Sequence, residues 1–212
     1  MDKLLEFGLL AFASLFTLVN PLGVIPVFTT MTAEMSPEDA KSVAYRAVIV
    51  ALSTMILFAL SGKFIFDFFN ISINGLRIVG GILFFMAGYD MLQARLIRTK
   101  SEGQSIKEFG HDIAITPLGI PLICGPGAIT ASIVLMNDAV LVSQKIFLFI
   151  AMILVMSVTL FFLLGARKVM NFLGENGNKV LMRIMGLIVM VIAVEFMFSG
   201  LKPIVRDILN IQ

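Results

Sequence analysis

The chain has 212 residues, 58% hydrophobic and 14% charged, with 16 basic against 14 acidic side chains and a formal net charge of +2. Soluble domains carry about a quarter charged residues and keep a wetted shell, so a mean hydropathy of +0.99 excludes a soluble globule, a disordered chain and a disulfide scaffold. The even charge balance gives no footprint for nucleic acid, and Cys124, the single cysteine, has no internal disulfide partner. The chain reads as a polytopic membrane protein.

Charge-free runs map the spans in order. Glu6 and Glu34 bracket 27 uncharged residues, longer than a signal-peptide core and without a convincing cleavage pattern, so this run is expected to be retained. Ser36-Pro37-Glu38-Asp39 then offers a cap, a proline at the first helical position and acids in the first turn. The helix it starts enters the membrane near Val43, and Arg46 and Lys63 bracket 16 uncharged residues of it. The third run, Arg77 to Arg95, holds one charge, Asp90. The longest hydrophilic stretch, Arg95 to Asp112, follows and contains His111, the only histidine, with no second one to complete a metal site. Asp112 and Asp138 bracket 25 uncharged residues, Lys145 and Arg167 bracket 21, and the last run, Arg183 to Lys202, holds only Glu195. About 20 apolar residues cross a bilayer as helix, the open form that lipid tolerates. The expected fold is an all-α membrane protein of six transmembrane helices.

Six full spans place Lys3, Lys63, Arg77, Lys145, Lys202 and Arg206 on one side. The other side then holds Lys41, Arg46, Arg95, Arg98, Lys100, Lys107, Arg167, Lys168, Lys179 and Arg183. Basic residues favour the cytoplasm, which puts both termini outside, in a multi-pass protein of the plasma (inner) membrane. Re-entrant hairpins at the first and fourth runs would divide the charges equally well.

The halves match at a shift of 105 to 106 residues. Pro21 meets Pro126, Lys63 meets Lys168, and Arg77, Gly80 and Met91 meet Arg183, Gly186 and Met197. The expected organisation is a three-helix repeat over 1–95, a polar cytoplasmic connection over 96–112, and a second, inverted repeat over 113–212. Inverted repeats are the plan of many secondary transporters.

Five of the seven prolines fall in the first and fourth runs, at equivalent positions. The first has Asn20-Pro21-Leu22-Gly23-Val24-Ile25-Pro26; the fourth has Thr116-Pro117-Leu118-Gly119-Ile120-Pro121 and Cys124-Gly125-Pro126-Gly127-Ala128. Proline removes a donor and glycine permits unusual backbone, so both helices are expected to break at mid-membrane. Amides at Gly23 to Ile25 and Gly127 to Ile129 would then suit a carboxylate, and carbonyls near Thr17 to Val19 and Leu122 to Gly125 an ammonium. Asn20, Thr17 and Thr130 add side-chain polarity. Proline kinks that merely pack helices are the alternative.

Asn-Pro-Leu-Gly at 20–23 and Gly-Pro-Gly-Ala-Ile-Thr at 125–130, one repeat apart, resemble the MarC family of integral membrane proteins. The resemblance covers essentially the whole chain. A branch of that family carries small neutral amino acids such as glycine and alanine, coupled to protons. The resemblance therefore implies Asn20, Pro21, Leu22, Gly23, Gly125, Pro126, Gly127 and Ala128 near substrate. An amino-acid zwitterion needs both donors and acceptors, which two opposed broken helices supply, and a Gly-rich lining favours a small, neutral side chain.

Asp90 and Glu195 are ionisable groups within spans and are candidates to carry a coupling proton, unless they simply reach headgroups or pair with a base. No nucleophile, nucleotide loop or cofactor motif can be assembled. The expected activity is secondary transport of a small neutral amino acid, with membrane lipid as the other partner. The competing readings are a channel or carrier for another small solute, and a non-transporting partner or sensor subunit.

Overall fold

The computed structural model describes residues 2–70, 72–93 and 106–209. The inter-repeat connection expected at 96–112 lies outside the described residues up to 105; its last part is helical. Every regular element among the described residues is a helix. In chain order these are α1 (Asp2–Val19), α2 (Pro21–Met31), α3 (Pro37–Phe68), α4 (Ile73–Leu92), α5 (Ile106–Ile113), the wide-turned segment Ala114–Ile123, α6 (Pro126–Asp138) and α7 (Val142–Leu209).

Five stretches are long and apolar enough to cross a membrane, and the bent pair formed by Phe109–Ile123 and Pro126–Asp138 makes a sixth. The outward surface is correspondingly apolar: Leu60, Phe64, Phe161 and Val191 are all more than half exposed. A side chain facing lipid loses nothing by exposure, so the usual inside-out rule for soluble cores does not apply.

Helix limits follow local chemistry. Ser36 caps α3 by accepting from the Asp39 amide at 3.1 Å, with Pro37 at the first helical position, as the sequence requires. The polar stretch between the fifth and sixth runs is helical too, so α7 is interrupted only at Gly174, whose φ of 67° and ψ of 178° fall in a region essentially reserved for glycine.

Packing uses small residues, the means by which membrane helices approach closely without a hydrophobic driving force. One face of α3 carries Ala40, Ala44, Ala47, Ala51 and Ala59, all buried. The helix α4 runs antiparallel to the second arm of α7: Gly200 meets Asn74, Gly81 meets Ala193, and Gly186 meets Gly88. Between the halves, Gly62 at the end of α3 meets Ile133 of α6, while Arg167 of α7 reaches the end of α2. Each broken helix thus packs against a long helix from the other half of the chain, which brings the two breaks together.

Candidate functional site

At the first break Pro21 lacks an amide hydrogen, so the helical ladder must skip. Asn20 sits in the left-handed region, φ 47° and ψ 65°, which asparagine tolerates better than most residues. Two backbone bonds join the helices here: the Asn20 amide donates to the Phe16 carbonyl at 3.0 Å, and the Gly23 amide to the Asn20 carbonyl at 2.9 Å. The Gly23 amide also donates to Asn20 Oδ1 at 3.3 Å. Among the described residues no amide donates across the junction to the carbonyls of Thr17, Leu18 and Val19. The break is narrow, and Lys3–Met31 continues through it as one span.

The second break is larger. Thr116 (φ −133°, ψ 119°) and Ile120 (φ −135°, ψ 124°) are extended, the conformation that a following proline ring imposes on its neighbour. The Cys124 amide donates to the Gly119 carbonyl at 2.9 Å. Gly125 is extended (φ −78°, ψ 173°) and starts α6 with Pro126 at its first position. The axis turns by 60°. The two breaks occupy equivalent sequence positions but differ in form, because the fourth run has three prolines within ten residues.

A cavity opens where the breaks meet. Its lining comprises Thr17, Leu18, Val19, Asn20, Gly23 and Val24 from the first break, Leu122 from the second, Met91 from α4, and Val189 and Ile192 from α7. It measures about 440 Å³, the open solvent at its mouth included. Its polar lining residues are Thr17 and Asn20, next to the carbonyls at 17–19 that take no backbone bond among the described residues. Because Asn20 Oδ1 accepts from the Gly23 amide, the Nδ2 amino group is the part of that side chain left without a hydrogen bond among the described residues. The Thr17 hydroxyl donates to the Ala13 carbonyl at 2.8 Å and retains accepting capacity. The remaining wall is apolar.

Of the residues singled out in the sequence, Thr17, Asn20 and Gly23 line the cavity. Pro21 is buried beside it, and the Leu22 side chain is 51% exposed and outside it. Gly125, Pro126, Gly127, Ala128 and Thr130 are buried one layer behind. A β-carbon on Gly127 would come within 3.0 Å of Leu18 Cδ2, so α6 backs directly onto the cavity wall. Gly80 of α4 closes onto Pro126 from another side. The Thr130 hydroxyl is the one buried side-chain polar atom without a hydrogen-bond partner among the described residues. Asp90 and Glu195 are exposed and do not line the cavity, although Asp90 adjoins the lining residue Met91 and Glu195 lies one turn beyond Ile192. Among the described residues no three His, Cys, Asp or Glu side chains gather as a metal site. Sequence reasoning did not single out the lining residues Met91, Val189 and Ile192 as site residues; only packing on the break distinguishes them from other apolar positions.

Residues 5–205 match the MarC family of integral membrane proteins. The chain belongs to that family. A UPF0056 membrane protein of Methanocaldococcus jannaschii is 37% identical over 93% of this chain and 97% of its own length. One of Pyrococcus abyssi is 34% identical over 95% and 97%, and YvbG of Bacillus subtilis is 33% identical over 90% and 92%. No solved structure matches. The matches run over nearly the whole length of this MarC protein and of each of these relatives.

Proposed function

We propose that this MarC protein is a secondary carrier of small neutral amino acids, of the glycine and alanine type, working by alternating access around the two breaks. The observation that carries the reading is the cavity at Asn20, where unpaired carbonyls and an amide donor share one small space. The carbonyls at 17–19 accept from the substrate ammonium, and Asn20 Nδ2 donates to its carboxylate. Met91, Leu122, Val189 and Ile192 bound the space left for the side chain. The short distance between these apolar walls favours glycine or alanine over a larger side chain.

The halves 1–95 and 113–212 act as inverted repeats in this reading. The antiparallel crossing of α4 with the second arm of α7, centred on their middles, supports it, as does the exchange of broken helices between halves. Both termini lie outside the plasma membrane, on the charge count. Coupling protons pass through Asp90 or Glu195, each close along its helix to a lining residue.

The test is uptake of labelled glycine and alanine into proteoliposomes, with and without a pH gradient. Saturable uptake that is lost in Asn20→Ala and competed by either amino acid is expected, and Asp90→Asn or Glu195→Gln should remove its response to the gradient. No uptake above empty vesicles would sink the reading, and non-saturable flux would make the protein a channel.

A further inference from the structure

A second groove lies at the opposite end of α2 from the cavity, where three helices converge. Its lining is Phe28 of α2, Pro37, Ala40 and Lys41 of α3, and Leu163, Leu164 and Arg167 of α7, around a space of about 300 Å³ including its mouth. Phe28, Ala40 and Leu163 form a buried apolar floor, while Lys41 is exposed at the rim. The spans Pro37–Gly62 and Val142–Lys168 both end at this level, so the groove sits where the hydrocarbon core gives way to headgroups.

The two cations are uncompensated. Neither Lys41 nor Arg167 has an ion-pair partner among the described residues. Arg167 is held in place by neutral groups: its Nη2 donates to the Thr32 carbonyl at 3.1 Å and to the carbonyls of Met35 and Ser36. A guanidinium has five donor hydrogens, and Nε and Nη1 have no partner among the described residues. The nearest acids do not neutralise the site. Asp39 accepts from the Ser36 hydroxyl at 2.7 Å, and Glu38 is exposed on the same turn. The groove therefore combines two cations in one lining, Arg167 pre-oriented by its carbonyl partners, with an apolar floor at headgroup depth.

We propose that this groove binds one anionic phospholipid, its phosphate between Lys41 and Arg167 and an acyl chain against Phe28 and Leu163. Charge decides the occupant: a zwitterionic lipid covers the same floor but leaves two positive charges without a counter-charge, and basic pockets between spans are favoured sites for anionic headgroups.

The experiment uses the purified full chain in detergent, with thermal unfolding and binding titration as readouts. The probes are dioleoylphosphatidylglycerol, dioleoylphosphatidylcholine and sn-glycerol 3-phosphate. Phosphatidylglycerol is expected to raise the unfolding midpoint and to bind saturably, phosphatidylcholine to do so less, and glycerol phosphate not at all. Lys41→Gln should weaken phosphatidylglycerol binding about fivefold, with Lys41→Arg restoring it and Lys145→Gln, at the far end of the same helical arm, leaving it unchanged. Equal effects of the two lipids, or full binding by Lys41→Gln, would overturn the proposal. So would a shift from glycerol phosphate alone equal to that from the lipid, because the site would then be one for free anions.

Discussion

Asn20 and Gly23 form one device: the side-chain oxygen of the first holds the amide of the second at 3.3 Å, and the space between them admits no β-carbon. A β-carbon built on Gly23 would stand 2.5 Å from Asn20 Nδ2 and 2.9 Å from Asn20 Cγ. Glycine at 23 is therefore needed for the Asn20 side chain to stay over the break. That same side chain supplies the one side-chain amide among the described residues that line the cavity.

Gly23→Ala should accordingly act through Asn20. The asparagine must rotate away, losing its cap at a cost of about 1 kcal/mol and removing the donor from the cavity. The expected result is a modest fall in the unfolding midpoint with a large fall in glycine uptake. In an Asn20→Gly background, where the left-handed backbone is kept and the side chain is gone, adding Gly23→Ala should cost almost nothing further. Additive losses in that double-mutant cycle would show that the two residues act separately.

Arg167 joins sequence positions more than 130 residues apart, donating from one nitrogen to the carbonyls of Thr32, Met35 and Ser36. These carbonyls belong to the α2 C-cap and the turn into α3, where a positive charge also meets the negative end of a helix. Arg167→Ala should destabilise the protein by about 1.5–3 kcal/mol, read as a lower unfolding midpoint without added lipid. Arg167→Lys should recover only part of this, because the ammonium has donors enough for the three carbonyls but stands on a shorter, more flexible stem that does not hold its nitrogen where Nη2 sits. Full recovery with lysine would reduce the role to charge alone.

What the sequence made legible was whatever departs from apolar monotony. Pro21 and Pro126 announced the breaks, and Ser36-Pro37-Glu38-Asp39 announced the start of α3, because each acts on the backbone within a turn of itself. The form of the breaks was not legible. The Gly23 amide, expected to face a ligand, is occupied by Asn20, a consequence of the left-handed backbone at 20 that no local pattern dictates. Nor were Met91, Val189 and Ile192 distinguishable as lining, since in a chain this apolar a cavity wall and a lipid-facing surface draw on the same residues. Arg167 was counted as one more basic residue at a span end; only the tertiary fold brings the end of α2 to it.

The α4–α7 contact predicts a sharp contrast between two glycines. A β-carbon on Gly186 would stand 2.7 Å from both the Gly88 carbonyl oxygen and the Leu92 amide nitrogen, backbone atoms that cannot rotate aside. On Gly165 it would meet nothing within 4 Å. Gly186→Ala should therefore cost about 1–3 kcal/mol by forcing the helices apart, whereas Gly165→Ala should be neutral or stabilising by up to about 1 kcal/mol through helix propensity. Thermal unfolding of the two variants side by side checks this, and equal midpoints would mean that the helices separate at little cost.

Thr130 and Thr159 supply the converse pair. Both are buried, but the Thr159 hydroxyl donates to the Val155 carbonyl at 2.8 Å whereas the Thr130 hydroxyl has no partner among the described residues. Valine matches threonine in shape and lacks the hydroxyl. Thr159→Val should lose about 0.5–1.5 kcal/mol, while Thr130→Val should raise stability, by about 1 kcal/mol, because it removes a polar group buried without a bond. A hydroxyl kept at such a cost is explained if it is used in another state of the protein. Thr130 stands one turn into α6, whose first residues back onto the Leu18 wall of the cavity, so movement of that helix would turn the hydroxyl toward the substrate space. Thr130→Val is therefore expected to be more stable and slower in glycine uptake, with Thr130→Ser restoring the rate. A variant that gains stability and transports at the normal rate would remove Thr130 from the site and leave the first break to bind alone.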